Sequence, residues 1–155
     1  MTISAVDIRN FLPHRKPMLM VDRVNELTSD TVKTDFEISD DNIFVEDGAF
    51  SEFGLIENAA QTCSTIVARS YFDSDDLENK KKKNVIGFIS SIKSIQVLSL
   101  PKSGQTIETI STLLSRFSTE HYNTCMVNCK TFHESELIME CELNLFIKTD
   151  PDEKG

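Results

Sequence analysis

Residues 12–24 read LPHRKPMLMVDRV, and the order of residue types in this stretch decides the fold. Pro13 and Pro17 withhold two backbone donors and force extended conformations around them, so the stretch cannot be helical. The apolar run that follows, closed by Asp22-Arg23, reads as a bent lead-in feeding a strand over Met18 to Leu27. Thr28-Ser29-Asp30 then supplies turn residues, and Thr31 to Ile38 forms the second strand of an antiparallel hairpin. Alternation in Val32, Thr34, Phe36 and Ile38 turns one face of that strand inward. Upstream, Ser4 stands as an N-cap before a short helix over Ala5 to Phe11, ended by Pro13.

Downstream, Ser39 to Phe53 has no clear period and carries Asp40, Asp41, Asp47 and Gly48, which marks a long functional loop. The one long helix is expected over Gly54 to Phe72. Leu55, Ile56, Ala59, Ala60, Cys63, Ile66 and Val67 recur there at helical spacing, while Glu57, Gln61 and Ser64 form a polar line. Four strands follow, over Val85 to Leu98, Gln105 to Phe117, His121 to Phe132 and Leu137 to Lys148. In the first of them strict alternation places Ile86, Phe88, Ser90, Ile92, Ser94 and Gln96 on one side. The pattern is α+β, a single domain over residues 1–149 with a polar tail over 150–155.

Composition removes several function classes. A net charge of −9 lacks the basic footprint that nucleic-acid binding needs. No apolar run reaches the length of about 20 residues that a membrane helix requires. The N-terminus has no basic-then-apolar export signal, so a cytoplasmic protein is expected. Cys63, Cys125, Cys129 and Cys141 lie inside periodic apolar segments and match no zinc spacing, so they read as buried free thiols, with no metal site and no cofactor. An acidic run, Asp73 to Glu78, precedes the lysines Lys80 to Lys83. These read as a solvated loop, or as a small basic patch for an acidic carrier protein.

The 12–24 stretch resembles the opening signature of the FabZ/FabA-like 3-hydroxyacyl-[acyl-carrier-protein] dehydratases, which run LPHR, an aromatic, Pro, three apolar residues and VDR. Gly54 to Gln61, GLIENAAQ, is similar to the start of the family's central helix, and Leu98 to Ile107, LSLPKSGQTI, resembles its late Pro-Gly-Asp-Gln turn. The resemblance implies a hotdog fold, an antiparallel sheet wrapped around one central helix. It also implies dehydration of 3-hydroxyacyl thioesters during fatty-acid or polyketide-like synthesis.

That chemistry needs a base for the proton α to the carbonyl and an acid for the departing hydroxyl. By resemblance Glu57 is the catalytic carboxylate, Gln61 orients it, and the Gly54 amide approaches the thioester oxygen. The chain departs from the family at one point. The position of the family's catalytic His falls on Ile43, and the loop Ser39 to Phe53 contains neither His nor Pro. Asn42, Asp41 or Asp47 could occupy that space, though no motif assigns any of them a role. His14 belongs to the LPHR motif and reads as architectural; His121 and His133 fall near strand ends.

Three readings stand. The chain is a dehydratase acting on thioesters of acyl carrier protein or coenzyme A; a hotdog thioesterase in which Glu57 activates water; or a non-catalytic acyl-binding subunit of a heteromeric dehydratase. The resemblance also implies a homodimer or higher oligomer joined along an edge strand, for which Val85 to Leu98 is the candidate.

Overall fold

The structure, a computed structural model, describes residues 6–7, 12, 14–72 and 85–149. The elements run β1 (Val6–Asp7), β2 (Arg23–Leu27), β3 (Thr31–Glu37), β4 (Val45–Glu46), β5 (Ala49–Phe50), α1 (Glu52–Phe72), β6 (Val85–Val97), β7 (Thr106–Ser118), β8 (Tyr122–His133) and β9 (Glu136–Thr149). Seven of the strands form one antiparallel sheet in the order β1-β2-β3-β7-β8-β9-β6, and β4 pairs only with β5. The sheet curls around α1, whose described side chains are buried or half-buried from Gly54 onward. This is the hotdog α+β arrangement.

Apolar periodicity explains why these residues form these elements. β3 buries Val32, Thr34 and Phe36, with Ile38 just beyond, which is the expected inward face. Leu55, Ala59, Cys63 and Val67 of α1 meet Val127, Cys129, Cys141, Leu143 and Leu145 of the sheet in one core. All four cysteines are buried free thiols. Ser51 caps α1: its carbonyl accepts from Leu55 N at 3.1 Å, and its hydroxyl lies 3.5 Å from Gly54 N. The cap starts the helix at Glu52, two residues before the expected Gly54.

Four expectations need correction. Val6–Asp7 is extended and pairs with Val24 and Arg23, because the open edge of β2 supplies backbone partners that outweigh the local helical pattern. The rest of the expected helix lies outside the described residues. The strand expected from Met18 begins at Arg23, since Met18 and Met20 bond to side chains of α1 instead of a neighbouring strand. The loop Ser39 to Phe53 contains the β4–β5 hairpin, turned by Asp47 (φ 50°) and Gly48 (φ 76°), the pair of positive φ values that a tight two-residue hairpin loop requires.

The fourth correction concerns β6. Register shifts between Ile89 and Ser91 and between Ile92 and Ser94 each insert one residue against β9. Ile89, Ile92, Ile95 and Val97 therefore stand opposite the buried Leu145, Leu143, Cys141 and Met139, all on the inner face. Strict alternation would have scattered them over both faces. The acidic and lysine runs of 73–83 and the tail 150–155 lie outside the described residues.

Candidate active site

The site begins in the lead-in. Arg15 to Met18 form a turn closed by Met18 N donating to Arg15 O at 2.9 Å, with a cis Lys16–Pro17 bond at its third position. The Arg15 guanidinium donates to the carbonyls of Leu12 (3.0 Å) and His14 (2.7 Å), which holds the chain before the turn.

After the turn, residues 18–20 lie along α1 and are fixed by its polar side chains. Asn58 Nδ2 donates to Met20 O at 2.7 Å, and Asn58 Oδ1 accepts from Thr109 Oγ1 at 2.6 Å. Gln61 uses its whole amide: Oε1 accepts from Met20 N at 2.8 Å, while Nε2 donates to Met18 O at 2.7 Å and to Glu57 Oε1 at 2.8 Å. Gln61 is 1% exposed, so this geometry is locked by burial as well as by bonding.

The consequence is a pairing that spacing alone did not suggest. His14, assigned from sequence to the scaffold, stands with Nε2 4.0 Å from Glu57 Oε1. The two side chains are 34% and 28% exposed, open enough for a ligand to reach both. His14 Nδ1 is buried without a hydrogen-bond partner, which is uncommon for a buried ring nitrogen. The arrangement sets an imidazole at ion-pair distance from a carboxylate that a buried amide holds in place.

The other expected site residues are placed elsewhere. Gly54 sits where α1 meets the β4–β5 hairpin. A Cβ there would lie 2.4 Å from Phe50 Cε2, 2.5 Å from Phe50 Cζ and 2.9 Å from Phe44 Cβ, so the position requires glycine for close approach. Asn42 turns its own loop: its Oδ1 accepts from Phe44 N at 2.9 Å, and its Nδ2 lies 3.3 Å from Met20 Sδ.

Asp41 and Asn42 line an open groove of about 350 Å³ together with Lys16, Pro17, Leu19 and Asp22. Asp22 accepts from Glu37 N at 2.7 Å, and desolvation by the surrounding residues pushes its carboxyl above the usual aspartate value. The groove shares the turn Lys16–Leu19 with the lead-in but is lined by neither His14 nor Glu57. His133 Nδ1 is 3.1 Å from Thr106 O, and His121 is exposed near the start of β8.

Among the described residues no cluster of His, Cys, Asp and Glu is arranged to hold a metal ion, and no helix is long and apolar enough to cross a membrane.

The curled antiparallel sheet around one central helix defines a hotdog protein. The chain belongs to the ApeP-like family, whose family model, described as ApeP dehydratase, matches residues 6–154. Among solved structures it is similar to the dehydratase heterocomplex ApeI:P from Xenorhabdus doucetiae, at 16% identity and a TM-score of 0.74, over 95% of this chain and 93% of that one. An uncharacterized protein from Pyrococcus horikoshii matches at 12% identity and a TM-score of 0.65, over 93% of this chain and 94% of that one. A hypothetical thioesterase with coenzyme A from Streptococcus pneumoniae matches at 9% identity and a TM-score of 0.58, over 83% and 87%. At these identities the structural likenesses establish the fold. No curated protein matches.

Proposed function

We propose that the protein dehydrates 3-hydroxyacyl thioesters, carried by acyl carrier protein or coenzyme A, with Glu57 and His14 as the acid–base pair. The observation that carries this reading is the 4.0 Å approach of His14 Nε2 to Glu57 Oε1, with Gln61 holding the carboxylate. One member of the pair takes the proton from C2 of the substrate. The other gives a proton to the hydroxyl on C3, which leaves as water while the C2–C3 double bond forms. The pair ends with its protonation exchanged and resets through solvent. His14 thus supplies from the LPHR motif the imidazole that FabZ-type enzymes carry in the loop preceding the helix. Gly54 serves this site by letting α1 begin close against Phe44 and Phe50, and Asp41 and Asn42 contact the carrier arm in the groove beside the turn.

The reading includes a second subunit. Ile92 and Ile95 stand on the inner face of β6 yet are 44% and 41% exposed, and Phe53 at the start of α1 is 71% exposed. β6 is an edge strand of 13 residues, so a second copy paired along it would cover both the edge and these side chains. A heteromeric assembly is the alternative. It is favoured by one observation, that the similar Xenorhabdus chain belongs to a dehydratase heterocomplex.

The test is turnover of 3-hydroxyacyl thioesters of several chain lengths, followed by mass spectrometry and by free-thiol release. The expected product is the enoyl thioester, with rates falling by about 10²–10⁴ in Glu57→Gln and His14→Asn. Thiol release instead of dehydration would establish the thioesterase reading. Absence of both in the isolated protein, with activity restored by a co-purifying homologue, would make this chain a partner subunit.

A further inference from the structure

Three of the four thiols meet in the core between α1 and the sheet. Cys63 Sγ of α1 lies 2.8 Å from Cys129 Sγ of β8, and Ser111 Oγ of β7 lies 3.2 Å from the first and 3.0 Å from the second. Cys141 of β9 stands directly opposite Cys129 in the strand register. None of the three cysteines is more than 1% exposed. Ordinary packing would be satisfied by Ala or Val at these positions, without bringing sulfur to sulfur. From 2.8 Å, a bond of about 2.05 Å needs a closure of under about 1 Å.

We propose that Cys63 and Cys129 are a modification site, an oxidisable dithiol whose disulfide staples α1 to β8. In the step, each thiol gives up one proton and one electron, and the S–S bond forms. A two-electron oxidant takes up both hydrogens: the N=N bond of an azo reagent becomes a hydrazine, or a peroxide becomes two waters. Cys141, beside Cys129, is the thiol placed to exchange with the new bond, a step that would form Cys129–Cys141 and release the Cys63 thiol with no net reduction. Its own thiol is pushed up, first by its hydrogen bond with Cys129 and then by burial, which keeps it a poor nucleophile while the core is closed. The reaction therefore proceeds through local opening of the core and is slow under native conditions. Once formed, the bond joins positions 66 residues apart and restricts the unfolded chain far more than the folded one.

The experiment treats the full-length protein with diamide, denatures it under alkylating conditions and maps the peptides without reduction. The expected result is a species lighter by two hydrogens, with two alkylated thiols in place of four. A single crosslinked peptide pair should carry Cys63 and Cys129, and thermal unfolding should shift upward until dithiothreitol is added. Cys141→Ser should retain the Cys63–Cys129 crosslink and abolish its exchange to Cys129–Cys141; Cys63→Ala should lose the Cys63–Cys129 crosslink. The mapping uses the unsubstituted protein, so it decides the question even where a variant fails to fold. Four free thiols after oxidation of folded protein, or a bond made through Cys125 or between molecules, would overturn the proposal.

Discussion

Gln61→Met is the perturbation that most directly tests how the site is built. Methionine keeps the unbranched shape of glutamine and removes all three of its hydrogen bonds. The Met20 N–H then loses its acceptor inside a region where Met20 is fully buried, at a cost of about 1–3 kcal/mol for an unsatisfied buried donor. Met18 is 40% exposed, so its carbonyl recovers water and adds little. Burying a thioether in place of an amide returns a fraction of the loss, leaving a net destabilisation of about 1–3 kcal/mol. The assay is urea denaturation, where the midpoint should fall with an unchanged m-value. Gln61→Glu separates stability from site geometry. It retains an acceptor for Met20 N–H but sets a second carboxylate against Glu57 at hydrogen-bond distance, so one of the two must hold a proton. Its stability should recover as pH is lowered, whereas that of Gln61→Met should not show this extra recovery. Midpoints for Gln61→Met within about 0.5 kcal/mol of the parent would refute the claim that this amide holds the lead-in to the helix.

Further predictions follow from particular contacts. Gly54→Ala gains about 1 kcal/mol of helix propensity but drives a methyl into Phe50 and Phe44, so calorimetry should show a net loss of about 1–2 kcal/mol; an unchanged or raised Tm would refute the close approach. Asp22 has its folded-state value raised, so its contribution to stability is fully present below the unfolded value and is lost as pH rises through the folded one. Asp22→Asn should therefore grow more stable relative to the parent between acid and neutral pH, with Asn Oδ1 still accepting from Glu37 N; a gap that narrows as pH rises would contradict the assignment. Ile95→Lys puts a charge on the uncovered inner face of β6. In sedimentation analysis it should convert an associated species to monomer without lowering the unfolding midpoint of that monomer; unchanged association would remove β6 from the interface.

Most of the fold was legible because the hydrophobic period reports it directly. The inward face of β3, the long helix and the four strands of the second half all follow from spacing. What failed did so where tertiary partners override a local pattern. Val6–Asp7 took the edge of β2 despite helical spacing, and Met18 and Met20 were drawn onto α1 although they look like strand. β6 was misread because strict alternation cannot show a bulge: the two inserted residues, Ser90 and Lys93, are ordinary in sequence and become visible only against β9. Among the site residues, the Glu57–Gln61 pair was legible from i,i+4 spacing, and the structure bonds it. Gly54 was singled out for an amide that could approach the thioester, and the structure shows that its lack of a Cβ also lets α1 pack against Phe50 and Phe44.

His14 was the residue least accessible to pattern. It lies 43 positions before Glu57, and LPHR reads equally well as a bent lead-in. What brings it to the helix is a chain of separate causes. Asn58 and Gln61 grip Met18 and Met20, the Arg15–Met18 turn reverses the backbone just before them, and Arg15 fixes the carbonyls of Leu12 and His14. The turn and the Arg15 bonds are local, but the bonds from Asn58 and Gln61 join segments about forty residues apart in sequence. The same three bonds from α1 to the lead-in therefore carry both stability and site geometry. A substitution that frees the lead-in, at Asn58 as much as at Gln61, should cost activity through His14 even though neither residue need touch the reacting atoms. That coupling gives a physical reason for a scaffold motif and the proposed acid–base residue to share one stretch of thirteen residues.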